Sequence, residues 1–427
     1  MSSAQNLMFL PTEAFALQLD QADPLARFRN QFHQPEPSVT GEPLIYFCGN
    51  SLGLQPKGVR ESVLQEIDDW AQLAVHGHFK EHNPWVSYEQ ALLGPMAELV
   101  GAQPEEVAIM NGLTVNLHLL MVSFFRPTAT RHQILLEANA FPSDQYALQS
   151  QIRFHGFDPE SAFLEAHPRP GEDTLHTEDI VALIEEHGHK IALVMFAGVN
   201  YLTGQVFDIA AITEAAHKQG CVVGIDLAHA VGNVPLRLHD WDVDFAVWCS
   251  YKYLNSGPGA VAGCFVHERH RNAPELPRFT GWWGTKPQIR FEMRPTFDLQ
   301  PGAAGWQLSN LPILSMAALK ASLDIFHEAG ILALREKSEK LTSYLLSLLD
   351  QNQSGKIAVI TPRNLKDRGC QISIRVFDGA RTVFQRLEEA GVIGDFREPN
   401  VIRVAPVPLY NTFHEVWRFA QIWQALI

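Results

Sequence analysis

The chain has 427 residues, enough for two or three domains of about 150 residues each. Acidic residues outnumber basic ones, 47 against 33, and the net charge of −14 argues against a nucleic-acid-binding surface, which needs clustered lysine and arginine. Hydrophobic residues make up 46% of the chain and charged residues 19%, so we expect a folded protein with a large core rather than a disordered chain.

The cysteines and the longest apolar run bear on the cellular location of the protein. Five scattered cysteines form no CxxC pair and no Cys/His cluster, which is typical of reduced thiols without a metal centre. Residues 1–20 lack the basic and apolar segments of a signal peptide, and the longest apolar run, Ile191–Val199, is too short for a membrane span of about 20 residues. We therefore expect a cytoplasmic protein.

The first 55 residues are rich in proline and glycine, and their pattern predicts an irregular arm. Val59–Val75 follows with apolar residues at three-to-four spacing, which predicts an amphipathic helix. Beyond it, short apolar runs alternate with helical patterns such as Ile209–Gln219, and consecutive apolar positions are typical of strands buried on both faces. The predicted strands are Val107–Met110, Gln133–Glu137, Ile191–Val199, Cys221–Ile225, Phe245–Cys249 and Val261–His267. This order predicts an α/β fold with a mostly parallel sheet.

The pattern changes again after Asn310, where two long helices are followed by shorter elements. The predicted elements are helices Ile313–Ala329, Leu332–Leu349 and Thr382–Ala390, strands Ile357–Thr361, Gln371–Phe377 and Val401–Val404, and a last helix opened by a capping box at Thr412–Glu415. We expect an arm over residues 1–55, a large domain over 56–315 and a small α/β domain over 316–427.

Two predicted strands end beside groups that carry chemistry. Asp226 follows the run Cys221–Ile225, and Lys252 follows Phe245–Cys249, so both should emerge at the carboxyl edge of the sheet, where ligands bind in open α/β folds. The two groups could form a plain ion pair. They could also hold pyridoxal phosphate, with the lysine as its Schiff base and the aspartate on the pyridinium nitrogen.

Two further segments fit a bound phosphate and a flat ring. The turn Asn111–Thr114 opens a helical run, where backbone N–H groups and the helix dipole attract an anion, although Thr114 could equally serve as the N-cap. Phe141 could stack on a heteroaromatic ring, or be a core residue ahead of a helix capped by Ser143. The residues alone leave both pairs of alternatives open.

Several motifs taken together resemble the kynureninase family, from about residue 45 to the C-terminus. The motifs are Gly49-Asn50-Ser51-Leu52-Gly53, Asp226-Leu227-Ala228-His229, Ser250-Tyr251-Lys252-Tyr253-Leu254-Asn255, Gly281-Trp282-Trp283-Gly284 and Pro406-Val407-Pro408-Leu409-Tyr410. The resemblance implies a fold-type I pyridoxal phosphate enzyme, related to class V aminotransferases. It also implies hydrolysis of L-kynurenine, and of its 3-hydroxy derivative, to an anthranilate and L-alanine, in tryptophan catabolism or NAD biosynthesis from tryptophan.

The resemblance also implies roles for individual residues. Lys252 matches the Schiff-base lysine and Asp226 its pyridinium partner, while Tyr251 matches a phosphate ligand and a candidate proton relay. The other cofactor-binding positions matched are Leu113 and Thr114 in the phosphate turn, Phe141 on the ring, and Asp144 and His229 beside it.

A second group of matched residues concerns the substrate and the second subunit. Arg403 matches the arginine that binds the substrate α-carboxylate, with Arg397 as a competing candidate, and Ser51 is a further substrate contact. Trp282 and Asn310 match residues that reach the phosphate of the other subunit's site, and Asn310 is also expected at the substrate. The resemblance thus implies a homodimer with shared active sites.

Two residues depart from the family pattern, and three alternatives stay open. Thr285 stands where a histidine is common, and Ala197 where a hydroxyl residue often lies near the cofactor. The alternatives are another class V enzyme (an aminotransferase or a cysteine desulfurase), a non-catalytic homologue and a Schiff-base enzyme without a cofactor. Neither Cys249 nor Cys370 is well placed for desulfuration. The choice between kynurenine and 3-hydroxykynurenine is expected to depend on the surroundings of His82, Ser309 and Asn310.

Overall fold

The structure is a computed structural model that describes residues 9–36, 41, 43–351 and 355–427. The helices described are α1 (Glu13–Gln21), α2 (Gly58–Leu73), α3 (Gln90–Val100), α4 (Leu113–Phe124), α5 (Pro142–Phe154), α6 (Pro159–Ala162), α7 (Thr177–His187), α8 (Ile209–Lys218), α9 (Ile313–Ala329), α10 (Ile331–Asp350), α11 (Ala380–Glu389) and α12 (Phe413–Leu426). The strands described are β1 (Ile45–Tyr46), β2 (Val107–Ile109), β3 (Gln133–Glu137), β4 (Phe163–Ala166), β5 (Ile191–Ala197), β6 (Val222–Asp226), β7 (Phe245–Trp248), β8 (Gly263–Val266), β9 (Ile357–Val359), β10 (Ile372–Val376), β11 (Val392–Ile393), β12 (Asp395–Arg397) and β13 (Val401–Val404).

The larger sheet has seven strands in the order β2-β8-β7-β6-β5-β3-β4. Strands β3 to β7 run parallel, and β8 pairs antiparallel with both β7 and β2. Because helices cover both faces, nearly every residue of β5 and β7 is buried, as expected for parallel strands. The predicted α/β class with a mostly parallel sheet is therefore confirmed.

The C-terminal part contributes a second sheet, which is antiparallel and ordered β12-β13-β10-β9. A separate core lies against it, formed by apolar residues of α10, α11 and α12 and by Ala16 of α1. The short strand β1 pairs with β11, so the N-terminal segment is attached to this part of the fold. The predicted division at residues 315 and 316 stays a prediction.

The strand predictions for the large sheet agree with the structure within one or two residues. The capping box of the last helix is confirmed, since Thr412 accepts a hydrogen bond from the backbone of Glu415 and the Glu415 side chain binds back to Thr412. The arm was predicted as irregular, which is wrong over α1: Thr12 caps this helix, and Ala16 packs into the C-terminal core. Residues 1–8, 37–40 and 42 of the arm lie outside the described part.

Helix α2 forms close to its predicted bounds, but only part of its apolar face is buried, with Val63 packed against the core. Ile67 is 39% exposed and Trp70 64% exposed, whereas Glu66 is buried and accepts hydrogen bonds from Lys80 and the Trp85 indole. An apolar stripe that faces solvent marks an interaction surface. Within the described residues, no helix is both long and apolar enough to cross a membrane.

Candidate active site

The structure brings Asp226 and Lys252 to the same cavity at the carboxyl edge of the large sheet. Asp226 is the last residue of β6, and Lys252 lies four residues beyond the neighbouring parallel strand β7. The lining of this cavity includes Glu137, Phe141, Asp144, Asp226, His229 and Lys252. Both groups are less than a tenth exposed. The expectation that the two strand ends present them together is met.

Asp226 and Asp144 are close enough to interact directly within this cavity. Burial, the charge of Asp226 and a hydrogen bond with that carboxyl raise the pKa of Asp144 well above its ordinary value. One carboxylate oxygen of Asp226 accepts the Ala228 N–H at 2.7 Å, whereas Oδ1 of Asp144 has no partner among the described residues. A buried carboxylate oxygen without a donor is rare in folded proteins, and a ring N–H of a ligand would satisfy it.

Glu137 is a third carboxyl group in the cavity, and the sequence analysis missed it. It ends β3 as Asp226 ends β6, so a strand-terminal acid was the signal that could have found it. Burial and the charge of Asp226 raise the pKa of Glu137 to about 7. Its Oε2 accepts the Ala197 N–H at 3.4 Å, so the alanine that departs from the family pattern contacts this acid through its backbone.

The first turn of α4 is open towards an anion. Its N-cap is Gly112, and no side chain caps the helix, so the alternative that Thr114 is the N-cap is wrong. Leu113 and Thr114 are the first two helical residues, and their half-buried side chains flank free backbone N–H positions of the kind that bind phosphate. The Thr114 hydroxyl lies 2.9 Å from that of Ser143, the neighbour of Asp144.

Phe141 stands at the N-cap of α5, with Pro142 in the first helical position. Ser143 lies inside the helix and does not cap it, which corrects the alternative that named it as the cap. The Phe141 ring meets the Tyr201 ring edge-on at 5.2 Å, and the Lys252 Nζ lies 5.7 Å from the Phe141 ring centre. A ring in this place can cover one face of a flat ligand next to the lysine.

Tyr251 and His229 border the lysine. Burial and the neighbouring Cys249 thiol raise the pKa of Tyr251, so its hydroxyl keeps its proton at neutral pH. Burial and the positive charges of Lys252 and Arg403 lower the pKa of His229 well below its usual value, so the ring is neutral. Its Nδ1 is buried and has no partner within the described part of the chain.

Two groups hold the Arg403 guanidinium in place, the Asp395 carboxylate and the Tyr201 backbone carbonyl. Its Nε and Nη2 contact Asp395 Oδ1 at 2.9 Å and 2.7 Å, and its Nη1 donates to the Tyr201 carbonyl at 2.5 Å. Arg403 is 1% exposed and lies on β13, whereas Arg397 pairs with the same Asp395 from β12 and is 36% exposed. Three anchored N–H groups leave two of the five guanidinium donors for a second carboxylate.

The Gly49–Gly53 loop packs directly against the lysine loop. A Cβ on Gly53 would overlap Asn255 Oδ1 and the Lys252 carbonyl, and a Cβ on Gly49 would overlap the Tyr410 hydroxyl. Only glycine allows this approach, which explains why the motifs around residues 49, 252 and 410 occur together. Ser51 lies half-buried in the turn between them.

Other predicted residues lie away from the cavity of this chain. Trp282, Asn310, His82 and Ser309 are exposed, and the Trp282 indole donates to the Arg290 carbonyl at 3.0 Å. Thr285 is buried and donates to the Asp298 carbonyl at 2.9 Å, so it has a structural partner. The structure thus does not bring these positions to Lys252 within one chain.

The structural comparisons show a fold shared with a cysteine desulfurase and a cystine C-S lyase. The cysteine desulfurase CsdA from Escherichia coli aligns with a TM-score of 0.76 at 16% identity, over 94% of this chain and 98% of that one. The cystine C-S lyase C-DES, in complex with cysteine persulfide, aligns at 0.73 and 19% identity over 89% and 97%. The expected fold-type I architecture is confirmed by these likenesses.

The sequence comparisons are much closer. Kynureninases are 57% identical in Koribacter versatilis (strain Ellin345) and 56% identical in Myxococcus xanthus (strain DK1622), each over 97% of both chains. The kynureninase of Nematostella vectensis is 51% identical over 96% of this chain and 93% of its own. Residues 334–423 also match the family model described as the kynureninase C-terminal domain. With this identity along nearly its whole length, and with strand-end aspartate and lysine in one cavity, the chain belongs to the kynureninase family.

Proposed function

We propose that this chain is a pyridoxal 5′-phosphate-dependent hydrolase that cleaves L-kynurenine, and 3-hydroxy-L-kynurenine, to an anthranilate and L-alanine. This is a step in tryptophan breakdown. The observation that carries the proposal is the cavity in which Lys252, Asp226 and Phe141 meet, in a chain 57% identical to a kynureninase. Its cytoplasmic location remains a prediction.

The residues present fit the cofactor. The uncapped turn of α4, with Thr114 and Ser143, suits a phosphate, and Phe141 suits one face of a pyridine ring. Asp226 suits the ring nitrogen, and Asp144, whose Oδ1 has no partner among the described residues, would be a neighbouring contact of the cofactor. Lys252 would hold the group covalently, and Leu113, His229 and Tyr251 are its further proposed contacts.

Pyridoxal phosphate, when bound, supplies an electron sink for carbanion chemistry at the substrate α-carbon. Lys252 would then accept and return protons at that carbon, because its Nζ lies 5.7 Å from the centre of the Phe141 ring that would cover the cofactor. Asp226 would hold the proton on the ring nitrogen. Tyr251 keeps its proton at neutral pH and is the proposed donor to the alanine fragment.

Arg403 is the proposed partner of the substrate α-carboxylate. Asp395 and the Tyr201 carbonyl fix its plane, and two remaining N–H groups offer the fork that a carboxylate binds. Arg397 is 36% exposed and its Nε contacts the same Asp395 oxygen as Arg403, so we assign it a supporting role. Ser51 and Asn310 are proposed as further substrate contacts.

A homodimer with shared active sites is also proposed. Large apolar side chains remain exposed on one stretch of surface, including Phe79, Trp282, Phe291 and Met293, the last at 74%. The Phe79 and Phe291 rings lie 5.8 Å apart, and Phe291 and Trp282 lie 5.5 Å apart, so these residues form one patch. A second copy seated here would cover the patch and bring Trp282 and Asn310 to the partner's phosphate.

The reaction is tested by incubating the purified, cofactor-loaded protein with L-kynurenine and with 3-hydroxykynurenine. We expect fluorescent anthranilates and alanine in equal amounts. Release of a keto acid in place of alanine would support an aminotransferase. A protein that gains no near-visible absorbance with pyridoxal phosphate would overturn the cofactor and the reaction together.

The structure favours hydrolysis over cysteine desulfuration, despite the desulfurase-like fold. A desulfurase needs an accessible, reactive thiol near the cofactor. Cys249 is buried with a raised pKa, and burial raises the pKa of Cys370 to about 12 and that of Cys48 to about 11. No sulfide should be released from cysteine in the same assay.

A further inference from the structure

The turn that follows β5 presents three consecutive backbone carbonyls to the C-terminal sheet. Asn200 closes this turn from within, because its Oδ1 accepts the N–H groups of Leu202 and Thr203 at 3.0 Å each. The carbonyls accept hydrogen bonds from four side chains on or next to the C-terminal sheet. Tyr201 accepts Arg403 Nη1 at 2.5 Å and Gln371 Nε2 at 3.0 Å, Leu202 accepts Gln371 Nε2 at 3.3 Å and Ser373 Oγ at 2.6 Å, and Thr203 accepts Thr361 Oγ1 at 2.6 Å.

The register of the C-terminal sheet places these donors on one face. Arg403 of β13 is paired with Ser373 of β10 on one side and with Asp395 of β12 on the other. Directly paired residues of neighbouring strands project to the same face of a sheet, so the three side chains form a row. Gln371 belongs to this face too, since its Nε2 lies 3.0 Å from Ser373 Oγ. The arginine proposed for the substrate carboxylate is thus part of a polar row that faces the turn.

The side-chain amide of Gln371 has one defined orientation. Gln371 is 1% exposed, and both ends of its amide have partners. Backbone carbonyls accept hydrogen bonds and cannot donate them, so the end that faces Tyr201 and Leu202 must be the NH2 group. The opposite end, Oε1, accepts Asn50 Nδ2 at 2.9 Å, and Asn50 is fully buried in the Gly49–Gly53 loop. Gln371 therefore joins this loop to the turn.

The Tyr201 carbonyl is the point at which Gln371 can act on Arg403. A carbonyl oxygen has two lone pairs, and the structure places one donor from each of these residues on this oxygen. Without the Gln371 donor, the peptide plane at Tyr201 loses a restraint, and the guanidinium that donates to it loses the same restraint. A carboxylate binds two guanidinium N–H groups in one plane, so a tilt of Arg403 weakens that pairing.

We propose that Gln371 is a positioning residue for the substrate α-carboxylate, which holds the Tyr201 carbonyl where that carbonyl fixes the plane of the Arg403 guanidinium. The inference rests on the proposed function, because Arg403 is the proposed partner of the carboxylate. Gln371 acts through the turn and the arginine, and needs no contact of its own with the substrate.

The test replaces Gln371 by methionine, which has nearly the same length and volume but no N–H donor. The matched control is Thr361→Val, which removes the hydroxyl that donates to the Thr203 carbonyl of the same turn. Each variant leaves one buried N–H donor unpaired, Asn50 Nδ2 in the first and the Ser373 backbone in the second, so their losses of stability should be similar. Only the first variant removes a hydrogen bond to the carbonyl that the arginine shares.

Steady-state kinetics of the holoenzymes with L-kynurenine give the first readout. KM should rise about fivefold or more in Gln371→Met, with kcat within about threefold of wild type, because Arg403 would hold the carboxylate alike in the ground and transition states. Thr361→Val should change KM by less than about twofold. If Gln371→Met does not fold, Gln371→Glu takes its place, since it keeps an oxygen for Asn50, lacks N–H donors and should raise KM in the same way.

Amino acid binding gives a second readout that needs no turnover. L-alanine and ethylamine differ only by the α-carboxylate, and binding of either amine at the cofactor should change the near-visible absorbance of the holoenzyme. The dissociation constant of L-alanine should rise about fivefold or more in Gln371→Met because the carboxylate loses its fork. The dissociation constants of ethylamine and of pyridoxal phosphate should stay within about twofold of their wild-type values.

The inference is overturned if KM rises equally in Gln371→Met and Thr361→Val or stays unchanged in both, since Gln371 would then serve only the fold. It is also overturned if Gln371→Met loses the same affinity for L-alanine and for ethylamine. A wild-type protein that forms no anthranilate but binds L-alanine more tightly than ethylamine would refute the proposed reaction alone, and the alanine titration would then decide the inference. A wild-type holoenzyme without that preference would overturn both.

Discussion

Asp244 at the base of β7 anchors the strand whose other end leads to Lys252. It is buried, and it accepts the Val223 N–H at 2.8 Å, His217 Nε2 at 2.9 Å, His270 Nε2 at 2.8 Å and Arg269 Nη2 at 2.8 Å. Burial opposes ionisation here, yet the two histidines and Arg269 hold the pKa of Asp244 far below its ordinary value. We therefore expect Asp244→Asn to destabilise the large sheet.

The size of the loss in stability follows from the negative charge that the asparagine amide lacks. The substitution takes a buried negative charge away from three hydrogen-bond donors. Breaking one buried ion pair costs about 3–5 kcal/mol in the free energy of unfolding. The partners are 20–29% exposed, so water compensates part of the loss, and we expect about 3 kcal/mol in the free energy of unfolding. Asp240→Asn is the matched control, because its pair with Arg237 is more than half exposed on both sides and should contribute less than about 1 kcal/mol.

The effect should also depend on pH in a defined direction. The lowered pKa of Asp244 gives stability that is present above its ordinary value of 3.8 and is lost as pH falls. The raised pKa of His217 gives stability that is complete below its ordinary 6.5 and is lost as pH rises through the folded value. The difference between wild type and Asp244→Asn should thus be larger at about pH 6 than at about pH 9.

Urea unfolding at one fixed protein concentration, followed by fluorescence at both pH values, measures these differences. If Asp244→Asn and Asp240→Asn lost the same free energy of unfolding, the argument that the buried ion pairs of Asp244 stabilise the fold would be refuted. A difference that grew with pH would refute the assignment of His217 as a charged partner.

Three further predictions concern the site. Lys252→Ala should fold, carry no pyridoxyl group by mass after incubation with pyridoxal phosphate, borohydride reduction and gel filtration, and form no alanine; a pyridoxyl group trapped on the variant would place the attachment elsewhere. Arg403→Lys should raise KM for kynurenine about tenfold or more because the fork is lost, whereas Arg397→Lys should change KM by less than about threefold; the reverse order in steady-state kinetics would exchange their roles. Gly53→Ala should lower cofactor content, since its methyl group overlaps the Lys252 carbonyl, and full occupancy by absorbance would contradict that packing.

The large sheet was predictable because its strands are buried on both faces and are therefore apolar at consecutive positions, as in Ile191–Ala197. Strand β4 was missed because it lies at the edge, where only Ala166 of Phe163–Ala166 is buried and no periodicity results. Helix α1 was missed for a related reason. Its single buried residue, Ala16, packs against elements more than 300 residues away.

In the site, the strand-end rule found Asp226 and Lys252 but was not applied to Glu137, which satisfies it equally. The contacts of Arg403 with the Tyr201 carbonyl and Asp395 could not be predicted, since one partner is a backbone atom 202 positions away. These hydrogen bonds of Arg403 follow from the packing of the two sheets, and a local sequence pattern does not encode that packing.

The pairing of β1 with β11 has a consequence for biosynthesis. Ile45 pairs with Val392, Cys48 pairs with Ala405 and Gly49 packs on Tyr410, so the segment that leads into the Gly49–Gly53 loop finds these partners only after almost the whole chain has left the ribosome. The strands that carry Asp226 and Lys252 are complete long before that, and domains generally fold as they emerge. The nascent protein therefore has a period in which the lysine loop is formed but the glycine loop that covers it is still undocked.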